Sequence, residues 1–437
     1  MKKLFVAALA AVTVFASCSK EDNVARTISE EGAKTTMGLA ISFPQTRAAD
    51  ASNATADEVT VKDVTIFIFN TDGSASTGNG EVRAYADFTP KGNNVYALNE
   101  NKRISTTAGG KHIYVGINLP TALKGMASED ALKAAWQFNM ASDLTASTGF
   151  AMMSPVANET LAAQEADTTP TANQVTVSVE RLVSKVGVRQ GTGSTGTFAH
   201  AFTITPDKFA VGNLATKMFP IQQLTGTKLM TPMVNSTAVN ALVALNTGST
   251  ANKDLAVYYV PEHRPASNLR GEATYAVIRG KIAVENFARV DAGAIVTDVT
   301  PGISAGDEVF VVRAEAGDVY ICEDLTAASA VQDKLTDANI YKYIADSNAD
   351  LYCFYYVFLN NDAALNDNQL AVFRNQFFDI TVGAIKGIGF PGDETDPSVP
   401  EPEIPDPEIP IIETDAYLEV IVDVAPWDYK AITVPLE

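Results

Sequence analysis

The sequence predicts a mainly β chain: two tandem β-sandwich domains, a few short helices and an extended C-terminal tail. Three observations carry that reading. Short alternating or continuous apolar runs recur along the chain, separated by clusters of Gly, Pro, Asn and Asp. A Pro and acidic stretch near the C-terminus separates the last apolar runs from everything before them. At 437 residues the chain is long enough for two cores that need neither a metal nor a disulfide.

The formal net charge of −20 argues against a nucleic-acid partner, because nothing would neutralise phosphates, and disfavours adsorption to anionic lipid. After residue 20 no uninterrupted apolar run approaches the roughly 20 residues a membrane helix requires. The N-terminus has a different character. Lys2 and Lys3 precede an apolar run from Leu4 to Ala16, followed by Ser17 and Cys18, the order of a secretory signal. Phe15-Ala16-Ser17-Cys18 resembles a bacterial lipobox, with Phe15 where leucine is usual, and implies cleavage before Cys18 and lipid on its sulfur. A plain signal peptide with an incidental cysteine is the alternative. Ser19-Lys20-Glu21-Asp22 is similar to the export tags of surface lipoproteins in Bacteroidetes.

The polar segment 19–35 reads as a tether to the first strand. In that strand Met37, Leu39, Ile41 and Phe43 share one face, and Gly38, Ala40 and Ser42 share the other. Pro44 ends it, and Gln45 to Asp50 reads as an exposed polar connector holding Arg47. An arginine-specific protease cutting between Arg47 and Ala48 would sever the covalent tie of this strand and let it leave a groove flanked by unpaired backbone. The plain alternative is an ordinary first strand followed by a surface arginine.

Further along, Glu58 to Asn70 reads as a strand with both faces apolar, closed by a turn at Thr71-Asp72-Gly73, and Lys111 to Leu119 reads as another. Ser128 is a candidate N-cap for a helix over Ala131 to Phe138. Gln174 to Val188 begins as alternation and runs on past Arg181, so the domain boundary is expected near it. Strands follow at Phe202 to Thr205, Leu255 to Val260, Thr274 to Val284, Glu308 to Ala314 and Asp318 to Glu323, then a helix over Ala328 to Ala345. Leu351 to Leu359 and Phe373 to Ile385 are the last strands of the second domain. The resulting division is 1–17 signal peptide, 18–47 lipidated propeptide with the removable strand, 48–186 and 187–390 sandwich domains, 391–415 spacer and 416–437 donor strand region.

The spacer, PGDETDPSVPEPEIPDPEIP, cannot join a sheet interior and in polyproline II form reaches roughly 60 Å. Beyond it Leu418, Val420, Val422 and Val424 share one face, followed by Trp427. Such a strand must find a sheet, either folded back on its own domain or in another molecule. Burying four aliphatic side chains contributes about 6 to 12 kcal/mol gross, and a new ladder adds about 0.5 to 1.5 kcal/mol net per bond.

No enzyme is legible. His112, His200 and His263 are far apart and in no metal-ligand spacing, so no metal and no cofactor are expected. Gly191-Thr192-Gly193-Ser194-Thr195-Gly196 fits GxGxxG literally, yet TFAHAFTI follows where that signature needs a helix, so it reads as a hairpin turn. Cys322 and Cys353 either pair in an oxidising envelope or are buried free thiols.

VTIFIFNTDG, HIYVGINLP, ERLVSKVGV, YYVPEH with EATYAVIRGKI, FRNQFFDITVGAIKGIGFP and YLEVIVDVAPWDY, in that order behind the lipobox and Arg47-Ala48, resemble the Bacteroidales fimbrillins. These are type V pilins, and the likeness is to the minor-fimbrium kind. The resemblance implies two transthyretin-like β-sandwiches, export as an outer-membrane lipoprotein, removal of the lipid-bearing segment by an arginine-specific protease at Arg47, and assembly by C-terminal strand exchange. It implies as partners other copies of the chain and accessory tip and anchor subunits; the adhesion target is not legible. Arg26 is a second basic site, but a cut there leaves the first strand attached. The main expectation is a shaft subunit of a cell-surface fimbria, with a tip, anchor or glycan-binding adhesin lipoprotein of the same fold as the alternative.

Overall fold

The computed structural model describes residues 32–43, 55–392 and the strand 418–426. Short stretches inside the second range, at 93, 136–143, 146–148, 164–171, 232–234, 237–240, 252–253, 268, 270, 315–316 and 361–362, are excepted. The chain is mainly β, arranged as two β-sandwiches.

The first sandwich is built from β1 (Lys34–Ser42), β2 (Asp63–Asn70), β3 (Glu81–Ala84), β4 (Phe88–Gly92), β5 (Val95–Leu98), β6 (Ile104–Thr107), β7 (Gly109–Ile117), β8 (Met152–Met153), β9 (Ala157–Leu161), β10 (Gln174–Ser178) and β11 (Glu180–Arg181). One sheet runs β10-β1-β5-β4, with β6 also on β1; the other runs β11-β8-β7-β2-β3, with β9 also on β7. Period-two alternation in β1 and β10 turns Met37, Leu39, Ile41, Val175 and Val177 into the space between the sheets, against Val64, Ile66, Ile68, Ile113 and Val115.

The second sandwich uses β12 (Val183–Gln190), β13 (Gly196–Phe198), β14 (Phe202–Gly212), β15 (Val257–Pro261), β16 (Tyr275–Val284), β22 (Leu351–Phe358), β23 (Gln376–Ile385), β24 (Phe390–Pro391) and β25 (Leu418–Pro426). Between β16 and β22 lie β17 (Phe287–Asp291), β18 (Ala294–Val299), β19 (Glu308–Ala314), β20 (Val319–Cys322) and β21 (Ala338–Ile344). One sheet carries β12-β23-β25, and the other runs β13-β14-β16-β22-β24. Val186, Val188, Phe378, Ile380 and Val382 face Phe202, Ile204, Ile278 and Tyr355 in its core. The hairpin β17-β18 and the sheet β20-β19-β21 form a side lobe, on which a short helix, Leu325–Gln332, packs.

Four local readings are corrected. The helix expected over Ala328 to Ala345 ends at Gln332, and Ala338–Ile344 is a strand on β19. Asp337 turns left-handed (φ 48°), and the β-branched and aromatic run after it fits a pleated surface better than a helix. The strand expected from Glu58 starts at Asp63, because Thr55 and Glu58 form a reciprocal capping box that winds Ala56–Val59 into a helical turn. The helix expected over Ala131 to Phe138 is Glu129–Ala134 among the described residues, with Ser128 as its N-cap. The run Gln174 to Val188 is divided among β10, β11 and β12, which belong to three different sheets. Cys322 and Cys353 are both buried free thiols.

The two sandwiches meet at a desolvated polar knot. Glu58, fully buried, accepts from Lys185 Nζ at 2.8 Å and from the Tyr259 hydroxyl at 2.7 Å, while Arg181 Nε donates to the Glu58 carbonyl at 3.2 Å. Burial pulls the Lys185 ammonium below its usual range against the opposing pull of Glu58. An apolar cluster beside it joins Phe150 and Leu182 to Met218 and Ile221. Removing one partner of a buried pair leaves the other charge uncompensated. Glu58→Gln is therefore expected to lower the urea midpoint by the equivalent of about 3–5 kcal/mol, while Glu58→Met with Lys185→Met recovers most of it.

Candidate functional site

The first strand is held on both sides. On one side β1 runs parallel to β10, from Gly38 opposite Gln174 to Ser42 opposite Ser178. On the other it runs antiparallel to β6, from Lys34 opposite Thr107 to Met37 opposite Ile104, and then to β5, where Ile41 faces Tyr96. Met37, Leu39 and Ile41 are fully buried and Phe43 nearly so, its ring edge-on to Tyr96 at 5.5 Å. The four expected removable-strand residues thus come together on one core face.

A polar clamp closes over the start of this strand. Arg103 donates from Nε to the Thr36 hydroxyl and from Nη2 to the Thr36 carbonyl, each at 3.2 Å, and also to the Ala172 carbonyl. Asn173, left-handed at φ 53°, donates to the Thr35 hydroxyl at 2.8 Å and to the Thr36 and Ala162 carbonyls. Gly38 is the point of closest approach: a Cβ there would sit 2.2 Å from Gln174 Oε1 and 2.7 Å from Arg103 Nη1. The sequence reading missed Arg103 and Asn173. An Asn in a polar turn was visible, but nothing local marks Arg103 as the residue that reaches across.

At the other end of the chain, β25 lies antiparallel on β23, with Leu418 opposite Ile385, Val420 opposite Val382, Val422 opposite Ile380 and Val424 opposite Phe378. In the single chain the tail is folded back on its own second domain, one of the two outcomes its pattern allowed. It forms the end of that sheet and pairs on one side only among the described residues. Cys18, Arg47, Ala48 and Trp427 lie outside the described residues.

The histidines are not brought together. His112 Nδ1 lies 2.7 Å from Glu129, His200 stacks on Tyr320 at 4.0 Å, and His263 Nδ1 lies 2.9 Å from the Thr274 hydroxyl. Among the described residues no group of His, Cys, Asp and Glu could hold a metal ion. The Gly191–Gly196 stretch connects β12 to β13 in the other sheet and so is not the expected hairpin turn; a Cβ on Gly191 would meet the Val382 carbonyl at 2.3 Å, so Gly191 serves close backbone approach, while Gly193 turns left-handed (φ 79°).

Fold and site together define a tandem β-sandwich protein whose first strand is locked between two ladders and whose last strand rides an edge. The chain belongs to the fimbrillin family and is a fimbrial subunit. The family described as major fimbrial subunit protein (FimA) matches residues 35–194, and the one described as major fimbrial subunit protein type IV, fimbrillin, C-terminal, matches residues 349–431. No curated protein sequence matches the chain. Among solved structures it is similar to a fimbrilin (fimA) from Porphyromonas gingivalis W83, at 15% identity over 92% of this chain and 99% of that one, with a TM-score of 0.48. A candidate cell adhesion protein from Parabacteroides distasonis ATCC 8503 is similar at 14% identity, covering 91% and 100%, with a TM-score of 0.49. The tip fimbrial protein Mfa3 from Porphyromonas gingivalis, with a C-terminal truncation, is similar at 12% identity, covering 90% and 100%, with a TM-score of 0.38.

Two titrating groups give the fold an acid-sensitive range. Burial holds the His263 imidazolium down to about 4, from an ordinary 6.5. Burial pushes the Glu129 carboxyl up, but hydrogen bonds from His112, Lys133 and Tyr114 outweigh it and hold the group at about 2, from 4.5. In both cases the unfolded chain binds the extra proton, so stability is full above the unfolded value and falls as pH drops toward the folded one. His263→Gln is expected to flatten the fall of the melting temperature between pH 6.5 and 4, a loss on the order of 2–3 kcal/mol in the parent. An unchanged pH profile would contradict this account.

Proposed function

We propose that this chain is a shaft subunit of a cell-surface fimbria, made as an outer-membrane lipoprotein anchored at Cys18 and matured by a cut after Arg47. It then polymerises by receiving the C-terminal strand of another copy in the slot that β1 vacates. The observation that carries this reading is the two-sided seating of β1, whose connection to the second strand passes through Arg47. While that connection is intact, β1 competes for its slot at a high effective concentration, and the precursor stays monomeric. Once it is cut, that advantage is lost.

The relative strength of the two seats supports the direction of exchange. On its own domain β25 gains one ladder, whereas the slot of β1 offers a ladder on each flank and a fully enclosed apolar face. At about 0.5–1.5 kcal/mol net per backbone bond, a second ladder outweighs the first seat. The lengths also match, since β1 and β25 each span nine residues. Slot and tail are different surfaces, so each contact leaves one of each unused and the assembly grows as an open filament.

A tip or anchor subunit, or an adhesin lipoprotein of the same fold, is the second reading, favoured by the position of β25 on its own domain. Such a subunit needs only one polymerising end. Two variants and N-terminal sequencing of the surface form separate the readings. Arg47→Ala is expected to leave an uncut, lipidated monomer, and a chain lacking 416–437 to be cut yet stay monomeric, while the parent begins at Ala48 and forms filaments visible by electron microscopy. Filaments from either variant would overturn strand exchange, and a parent that keeps its lipidated Cys18 at the surface would favour the anchor.

A further inference from the structure

We infer that Arg103 sets the register of the incoming strand by pairing with Glu419 of the next copy. The inference rests on the strand-exchange reading and names the contact that would align the two strands.

The groove by itself does not define an alignment. A period-two strand can slip by two residues and still present apolar side chains to the core. Laying Leu418, Val420, Val422 and Val424 over Met37, Leu39, Ile41 and Phe43 fills all four core positions, and it sets Glu419, Ile421 and Asp423 where Gly38, Ala40 and Ser42 now stand. The first of these three places is the charged one. Gly38 faces Gln174 across the parallel pair, and Arg103, the residue before Ile104 where the β1–β6 ladder ends, brings Nη1 within 2.7 Å of where a Cβ on Gly38 would sit. A carboxylate and a guanidinium brought together on neighbouring strands attract, and the planar fork of arginine suits a carboxylate.

Space is available for the exchange. The atoms a Cβ would meet at Gly38 are Gln174 Oε1 and Arg103 Nη1, both at the far ends of flexible side chains that can swing aside. The backbone part of the clamp is indifferent to side-chain identity. Arg103 and Asn173 both reach the Thr36 carbonyl, and in the alignment above that carbonyl is supplied by Tyr417. The departing strand therefore offers Arg103 a carbonyl and a hydroxyl, while the arriving strand offers a carbonyl and a carboxylate. The difference favours arrival, and among registers within two residues only this one provides it: a slip of two residues puts Ile421 or Tyr417 beside Arg103, whereas a slip of four brings Asp423 or, in the other direction, Asp415 there.

The test is a charge-swap cycle on full-length protein cut at Arg47, titrated with a fluorescent synthetic peptide of residues 416–437 and read by polarisation. Arg103→Glu is expected to weaken capture of the parent peptide about five- to tenfold, and a Glu419→Arg peptide to bind the parent protein correspondingly worse. The two changes together should restore affinity to within about twofold. Equal affinity for the parent and Glu419→Arg peptides on unaltered protein overturns the pairing, and this arm does not depend on how Arg103→Glu folds. Rescue of Arg103→Glu by an Asp423→Arg peptide and not by Glu419→Arg also overturns it, in favour of the four-residue slip. Filaments that form while Arg103→Glu has no effect overturn the pairing but leave strand exchange standing. Failure of the parent peptide to bind the cut protein overturns both.

Discussion

The structure depends on one constraint: a strand that sits in the middle of a sheet cannot be missing. Because β1 is bonded to β10 on one side and to β5 and β6 on the other, it supplies the pairing for three neighbours. Its Met37, Leu39 and Ile41 also close the first core against the opposing sheet. At about 1.5–3 kcal/mol per buried large apolar side chain, an empty slot costs a large part of what a domain has to spare. On the strand-exchange proposal a first domain without β1 would receive another extended strand, and the clamp formed by Arg103 and Asn173 would hold it by its backbone. Both residues hold carbonyl groups, which every strand possesses.

The chain's last strand is under the opposite constraint. Among the described residues it lies at the end of a sheet, joined to β23 alone, and in the sequence it follows a spacer rich in Pro and Glu. An edge strand presents one row of unpaired backbone groups and is retained by one ladder. By composition the spacer cannot enter a sheet interior, and on the strand-exchange proposal it would let the strand move without dragging folded structure with it. A first strand paired on both flanks and a last strand paired on one flank among the described residues stand at the two ends of one chain. Under the strand-exchange proposal, a proteolytic cut, which adds no contact of its own, would suffice to change which strand holds the slot.

Much of this was legible because it is local. The alternation of Met37, Leu39, Ile41 and Phe43 and of the residues from Leu418 to Val424 is written in consecutive positions, and the Pro-rich spacer announces itself by composition. What was not legible depends on partners distant in the chain. Arg103 reaches Thr36, and Lys185 reaches Glu58, across long sequence separations that leave no periodic trace. Glu58 was read as part of a strand because its neighbours are β-formers, yet a side-chain cap from Thr55 decided the local conformation. The helix reading that ran to Ala345 failed for a similar reason. Residues Ala338–Ile344 are amphipathic enough for either state, and pairing with β19 selected the strand.

The polar knot between the domains bears on the same argument from another direction. Glu58 lies after the proposed cut at Arg47, on the segment that would become the new N-terminus, and it is held by Lys185 on β12 and Tyr259 on β15 of the second sandwich. None of these contacts involves a residue of β1, so on the strand-exchange proposal they would keep the residues that lead into the first domain fastened to the second one after β1 leaves. Phe150 packs edge-on against Tyr259 at 4.7 Å beside this knot and adds apolar contact across the same junction. A slot opened in the first domain would then not be free to spread into unfolding at its entrance. On the strand-exchange proposal the segment that follows the cut would stay in place, the opposing sheet would keep its seat on the second domain, and a groove of defined shape would remain open rather than a loosened sandwich. Exchange by a single strand requires that distinction, because a donor can be aligned residue by residue only on an acceptor whose other strands have not moved.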